Sequence, residues 1–73
     1  MSDPALTTRQ IADWLGVSPA YVRGEITDGR LPADNIGRRA TKEYRVRLSD
    51  LIAYLRSRGY RRLPSSSDFS SRN

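Results

Sequence analysis

The residues best suited to chemistry in this chain lie in the segment GVSPAYVRGEITDGRLP, residues 16–32. Ser18 followed by Pro19 predicts a helix start, because a serine side chain caps helices and proline suits the first helical position. At about 100° per residue, a helix that buries Val22 and Ile26 turns another set of side chains outward. The outward positions are Ala20, Gly24, Thr27 and Asp28, with Tyr21 and Arg23 on the flanks of that face.

Arg23 has the most specific chemistry on this outward face. A guanidinium group can donate hydrogen bonds to both O6 and N7 of guanine, so Arg23 is the first candidate for direct reading of a base. Two alternatives stay open: Arg23 pairs with a residue one helical turn away, or it contacts a DNA phosphate and positions the protein without specifying sequence. Ala20 suits a thymine methyl group, and Thr27 suits a base or a phosphate. Tyr21 suits a phosphate contact or the rim of the core.

A second group of candidate residues follows in the basic stretch of residues 36–47. This stretch holds five basic residues and one acidic residue, which accounts for +4 of the net charge of +5. Charge concentrated in one segment favours a binding surface for a polyanion, although a solvated loop is the simpler alternative. The basic residues are Arg38, Arg39, Lys42, Arg45 and Arg47.

The same stretch has the pattern of a β-hairpin. Residues 34–38 and 43–47 are predicted to form two short antiparallel strands, with residues 39–42 at the tip. In the second strand, three apolar residues (Tyr44, Val46 and Leu48) alternate with Arg45 and Arg47, which gives one apolar and one basic face. Arginine and lysine side chains at such a tip suit DNA phosphates, and one arginine suits a narrow minor groove.

Several functional classes are excluded or disfavoured by composition. The 73 residues contain no cysteine and no histidine, so thiolate or imidazole metal sites and a histidine general base are absent. We therefore expect no enzymatic activity and no cofactor. The longest apolar run, residues 51–55, is far too short to span a membrane, and the start of the chain has no signal-peptide pattern. We expect a cytoplasmic protein.

The elements that must position these residues can be read along the chain. Residues 1–5 have the character of a loose lead-in. Thr7 and Gln10 form a capping box for a first helix that Gly16 ends, and a turn of about three residues leads to the second helix. Two helices so connected predict a helix-turn-helix. Ser49 and Asp50 predict the cap of a third helix, with Leu48 packed just before it.

Trp14 and the end of the chain each have more than one interpretation. Trp14 is expected to anchor the core, with base stacking as the alternative. Residues 59–73 are rich in serine and are predicted to be a flexible, mostly disordered tail. Residues 60–63 of that tail either dock on DNA or a partner, or are simply solvated. Truncation after Arg58 is accordingly expected to leave the melting curve almost unchanged.

The order of these motifs resembles the excisionase-type, MerR-like winged-helix family, which includes phage excisionases and AlpA-like regulators. The resemblance covers residues 6–57 and rests on IADWLGVSPAYV, GRLPA, IGRR and SDLIAYL, at suitable spacing. We expect a winged helix-turn-helix DNA-binding domain over residues 6–58. It implies a mainly α fold with a small β-hairpin wing, DNA binding by the second helix and the wing, and no cofactor. Members usually carry a longer side chain where Gly24 stands and an apolar residue where Glu25 stands. A glycine at that place permits close approach of the helix backbone to DNA.

The leading functional hypothesis is therefore an architectural protein of site-specific recombination. It binds and bends double-stranded attachment-site DNA, with neighbouring copies of itself and an integrase as partners. A small transcriptional regulator with the same core is the alternative, and a module that binds an acidic protein is a third hypothesis. A regulator often adds a dimerisation helix or effector domain, and the lack of either favours recombination. The candidate DNA-binding residues are Ser18, Ala20, Tyr21, Arg23, Gly24, Thr27, Arg38, Arg39, Lys42 and Arg45.

Overall fold

A computed structural model of the chain describes residues 4–37 and 43–69. Its elements are those of a small winged helix-turn-helix domain, as predicted: three helices, a three-stranded antiparallel sheet and a short 3-10 helix. None of the described helices is long and apolar enough to cross a membrane. In chain order the elements are β1 (Ala5–Thr7), α1 (Thr8–Leu15), α2 (Pro19–Thr27), β2 (Asp34–Asn35), β3 (Tyr44–Arg47), α3 (Leu48–Ser57) and the 3-10 helix Ser66–Phe69.

The capping signals define both ends of α1 and the start of α2. The Thr7 hydroxyl accepts from the Gln10 N–H at 3.0 Å, while the Thr7 N–H donates to Gln10 Oε1 at 2.8 Å, which is the predicted capping box. Gly16 ends α1 in the left-handed conformation, with φ of 77°. The Ser18 hydroxyl then accepts from the Tyr21 N–H at 3.2 Å and caps α2. The helix-turn-helix prediction is thereby confirmed.

The sheet contains one strand that the sequence did not indicate. β3 lies in the centre, and both β1 and β2 pair with it in antiparallel register. Residues 1–5 were expected to be a lead-in, yet Ala5 is the first residue of β1 and lies opposite Arg47. The next residue, Leu6, lies opposite Val46 and is 1% exposed. A three-residue strand is too short to show a periodic pattern, so only its partner strand and the core reveal it.

The hairpin of β2 and β3 forms as predicted, although β2 is shorter than expected. Asn35 Oδ1 accepts from the backbone N–H groups of Gly37 and Glu43 and holds the base of the hairpin together. Arg38, Arg39 and Lys42, which were predicted to lie at the tip, fall outside the described residues. Their roles stay predictions.

The predicted cap of α3 at Ser49 and Asp50 is wrong by two residues. The helix begins at Leu48, directly after β3, with Arg47 at the N-cap position and no side-chain capping bond. The Leu48 N–H instead donates to the carbonyl oxygen of Pro4 at 3.0 Å, so the chain before β1 supplies the acceptor. Sequence-local capping rules cannot detect such a distant partner.

One hydrophobic core joins the helices to the sheet, and the segment after α3 lies against it. The sequence predicted a mostly disordered tail here, but Leu63 and Phe69 pack on the core, and Pro64 is buried. The guanidinium carbon of Arg62 also lies 5.0 Å from the centre of the Trp14 ring, which itself packs against the core as expected. The buried apolar residues are Leu6, Ile11, Ala12, Val22, Leu31, Val46, Leu48, Leu51, Tyr54 and Leu55.

Candidate nucleic-acid interface

The outer face of α2 presents the side chains that the helical pattern placed there. Ala20, Tyr21, Arg23 and Thr27 are exposed, and Gly24 is half-buried. Tyr21 is 49% exposed, so its ring lies on the surface. This face is continuous along α2 and carries a mixture of small, aromatic and basic groups, which is the kind of surface that contacts base edges and phosphates.

The backbone of α2 already engages two hydroxyl groups, one at its N-cap and one on its last residue. The Ser18 hydroxyl caps the helix, and the Thr27 hydroxyl donates to the Gly24 carbonyl oxygen at 3.1 Å. Each hydroxyl can still accept or share a further hydrogen bond, because an OH group has one proton and two lone pairs. Their places on the exposed surface leave both in reach of a ligand laid along α2.

On the sheet side of this surface, one predicted basic residue is paired with an acid. Arg45 Nη2 lies 3.0 Å from Glu43 Oε2, and the Arg45 side chain is only 30% exposed. Arg47, two residues further along β3, is exposed. The alternation predicted for β3 is therefore present, with Val46 buried between two arginines that lie toward the surface.

The fold brings residues from three distant parts of the chain into one surface depression. It has a volume of about 140 Å³ and is lined by Arg9 from α1, Arg23 from α2, and Arg45 from β3, among others. Arg9 was not a candidate in the sequence analysis. Its place is set by the pairing of Thr7 with Arg45 across β1 and β3, and β1 is the strand that the sequence did not indicate.

A buried carboxylate, Glu25, ties α2 to α3 behind the exposed face. Glu25 is only 7% exposed, and it rather than Ile26 is the residue most deeply buried beside Val22 on α2. The Tyr54 hydroxyl donates to Glu25 Oε1 at 2.7 Å, and Arg58 donates to the same oxygen. Arg30 reaches the other oxygen, Oε2, at 3.1 Å.

These contacts shift the acidity of the residues that make them. The hydrogen bond from Tyr54 is the main cause that lowers the pKa of Glu25, with help from Arg58 and Arg30 and against the opposing effect of burial. Burial, followed by the hydrogen bond to Glu25, raises the pKa of Tyr54. The pKa of Arg58 is raised, chiefly by its hydrogen bonds with Tyr54 and Glu25. Glu25 is therefore a carboxylate near neutral pH, surrounded by donors.

One feature of the sequence pointed to this network, although the helical periodicity of α2 did not reveal it. Glu25 stands where the resemblance expects an apolar residue, which is the mark of a buried position. A charge at such a position requires partners, because an unpaired buried carboxylate is strongly unfavourable. Tyr54 on α3 and Arg58, the residue at the C-cap of that helix, supply them. Within residues 4–37 and 43–69, no group of acidic, histidine or cysteine side chains is placed to hold a metal ion.

Among the comparisons with known proteins, a family model matches this chain. A family model described as a helix-turn-helix domain matches residues 5–59 of the chain, which contain all three helices and all three strands. A search of the curated proteins found no match, and a search of the solved structures found none either.

Proposed function

This chain belongs to the helix-turn-helix domain family, and from that premise we propose that it binds double-stranded DNA through α2 and the β2–β3 hairpin. In helix-turn-helix proteins the second helix of the motif enters the major groove and its first turns reach base edges. Here that helix is α2, and Ala20, Tyr21 and Arg23 stand exposed on its first turns. The exposed face of α2, whose Arg23 lines one surface depression with Arg45 of β3, is the observation that carries the proposal.

Electrostatics supports the same choice of partner. The chain carries a net charge of +5, and four of these charges fall in residues 36–47, which include β3. A phosphate backbone attracts such a surface at long range and releases counterions when it binds. The helix-turn-helix family is typically non-enzymatic, and the proposal assigns no bond breaking to this chain.

The finer proposal is an architectural role in site-specific recombination. The succession of motifs that resembles excisionases supports it, and so does a DNA-binding unit small enough for several copies to bind side by side. The protein would bind repeated sites near the attachment site of a mobile element, bend the DNA and assist an integrase during excision. The cytoplasm is its proposed place of action.

A gel-shift titration on DNA from the attachment region of the mobile element that encodes this chain tests this role. A ladder of successive, cooperative complexes is expected for an architectural factor, and added integrase should shift the ladder further. One discrete complex would contradict that role and support a transcriptional regulator. Retention of an acidic protein with no retention of DNA would support the protein-binding module.

Salt dependence tests DNA binding itself. If the surface neutralises about four to six phosphates, the logarithm of affinity should fall with the logarithm of salt concentration with a slope of about −4 to −5. Fluorescence anisotropy on one duplex over a range of salt concentrations measures this slope. A slope near zero would remove DNA from the proposal.

A further inference from the structure

The surface depression between α1, α2 and β3 concentrates cationic side chains that are far apart in the sequence. Arg9, Arg23 and Arg45 all line it. Three like charges around one concave surface repel one another, so their convergence is unfavourable unless a counter-charge is present. One counter-charge is in the protein, since Arg45 forms its ion pair with Glu43 at 3.0 Å.

The two remaining arginines have no such partner within the described residues. Neither Arg9 nor Arg23 forms an ion pair or a side-chain hydrogen bond with any residue of 4–37 or 43–69. Both are exposed at the edge of the depression, so an anion that is part of a large molecule can reach them. A guanidinium group presents a planar set of N–H donors that matches the oxygens of a phosphate.

We propose that this depression holds one phosphate group of the DNA backbone between Arg9 and Arg23, with the Arg45–Glu43 pair as its wall. The inference rests on the proposed DNA binding and assigns a further contact to it. It also changes the role of Arg23. A guanidinium directed into a phosphate site beside α1 and β3 positions the protein, and reading of bases falls to the rest of the exposed α2 face.

Arginine-to-alanine variants test this assignment on two DNA probes. One probe is a duplex selected from a random-sequence pool for tight binding, and the other is an unselected duplex of the same length. Arg9→Ala and Arg23→Ala should each weaken binding about ten-fold, the value for loss of one charge-assisted hydrogen bond, and equally on both probes. Each should also reduce the magnitude of the salt slope by about one. Arg56→Ala is the matched control, since it removes the same charge from α3, outside the depression.

The double variant gives the sharper measurement, because a shared phosphate makes the two losses non-additive. If Arg9 and Arg23 hold the same phosphate, Arg9→Ala/Arg23→Ala should lose about one unit of salt slope, as each single variant does. Its affinity loss should be well below the hundred-fold product of the single effects. Glu43→Gln should strengthen binding by a few-fold, because it removes a negative charge beside the phosphate and releases Arg45. Melting curves of all variants show whether each one is folded.

A second arm separates the DNA backbone from free phosphate as the source of the anion. Inorganic phosphate at matched ionic strength should compete with DNA no better than chloride does. Competition or thermal stabilisation by inorganic phosphate, with unchanged DNA affinity in Arg9→Ala, would overturn the assignment in favour of a small-anion site. A loss in Arg23→Ala on the selected duplex alone would overturn it in favour of base reading. If the wild type itself shows no salt-dependent binding, the proposed function fails, whereas a normal wild type with unaffected variants refutes only this inference.

Discussion

Removal of the two apolar side chains that join the segment after α3 (residues 59–69, here called the C-terminal segment) to the core should destabilise the whole domain. Leu63 and Phe69 are partly buried and pack against the core, on either side of the buried Pro64. Truncation of a fully buried leucine or phenylalanine to alanine costs about 2–5 kcal/mol, so half-buried side chains should cost about 1–1.5 kcal/mol each. The double variant Leu63→Ala/Phe69→Ala should therefore lose about 2–3 kcal/mol, which lowers the Tm of a domain this small by roughly 10–20 °C.

Thermal unfolding followed by far-UV circular dichroism measures this loss, and tryptophan fluorescence adds a local signal. Trp14 lies under Arg62 and packs against the core, so release of the segment should shift its emission toward that of a solvated indole. Arg61→Ala is the matched control, because Arg61 lies in the same segment, is exposed and has no ion pair with a described residue. Truncation after Arg58 should destabilise at least as much as the double variant.

The sequence favoured the opposite result, an almost unchanged melting curve after truncation. A double variant that melts within about 2 °C of the wild type and of the Arg61→Ala control would refute the reasoning, since this difference corresponds to only a few tenths of a kcal/mol. The segment would then contribute no net free energy to folding, and its contacts would be balanced by the entropy of ordering it.

Three further predictions concern single positions. Gly24→Ala should stabilise the protein by about 0.5–1 kcal/mol, because alanine favours a helix over glycine and a Cβ at this position would meet no heavy atom within 4 Å beyond its chain neighbours and the backbone of its own helix. A chemical denaturation midpoint that fails to rise would contradict this. Leu6→Ala should destabilise by about 2–4 kcal/mol, as expected of a core side chain that is 1% exposed, and an unchanged midpoint would show that β1 is dispensable. Since the folded-state pKa of Glu25 is lowered, its stabilising effect is present above the unfolded-state pKa and is lost as pH falls through the folded-state value. Glu25→Gln should thus have a lower Tm than the wild type near neutral pH, and this difference in Tm should disappear in acid. Glu43→Gln, which changes an exposed carboxylate, should show little difference from the wild type. An equal loss of Tm in Glu25→Gln at both pH values would argue against the ionised network.

The helix-turn-helix could be predicted from the sequence because its signals are local. Thr7 with Gln10, Gly16, and Ser18 with Pro19 each act within about four residues, through capping bonds or a backbone conformation that a single residue permits. The same locality gave the outward face of α2, since helical geometry fixes which side chains share a side. The alternation in β3 predicted the hairpin for the same reason.

Only the tertiary structure decided the features that depend on partners distant in the chain. β1 forms because β3 lies beside it, and α3 begins two residues early because the Pro4 carbonyl accepts the hydrogen bond of its first N–H. The segment after α3 packs against the core through Leu63 and Phe69, which its serine-rich sequence did not predict. The depression that Arg9 and Arg23 both line also depends on segments distant in the chain, and so does the burial of Glu25 beside Tyr54 of α3. Such contacts gain free energy from burial and charge pairing between segments, and no short stretch of sequence contains both members of the pair.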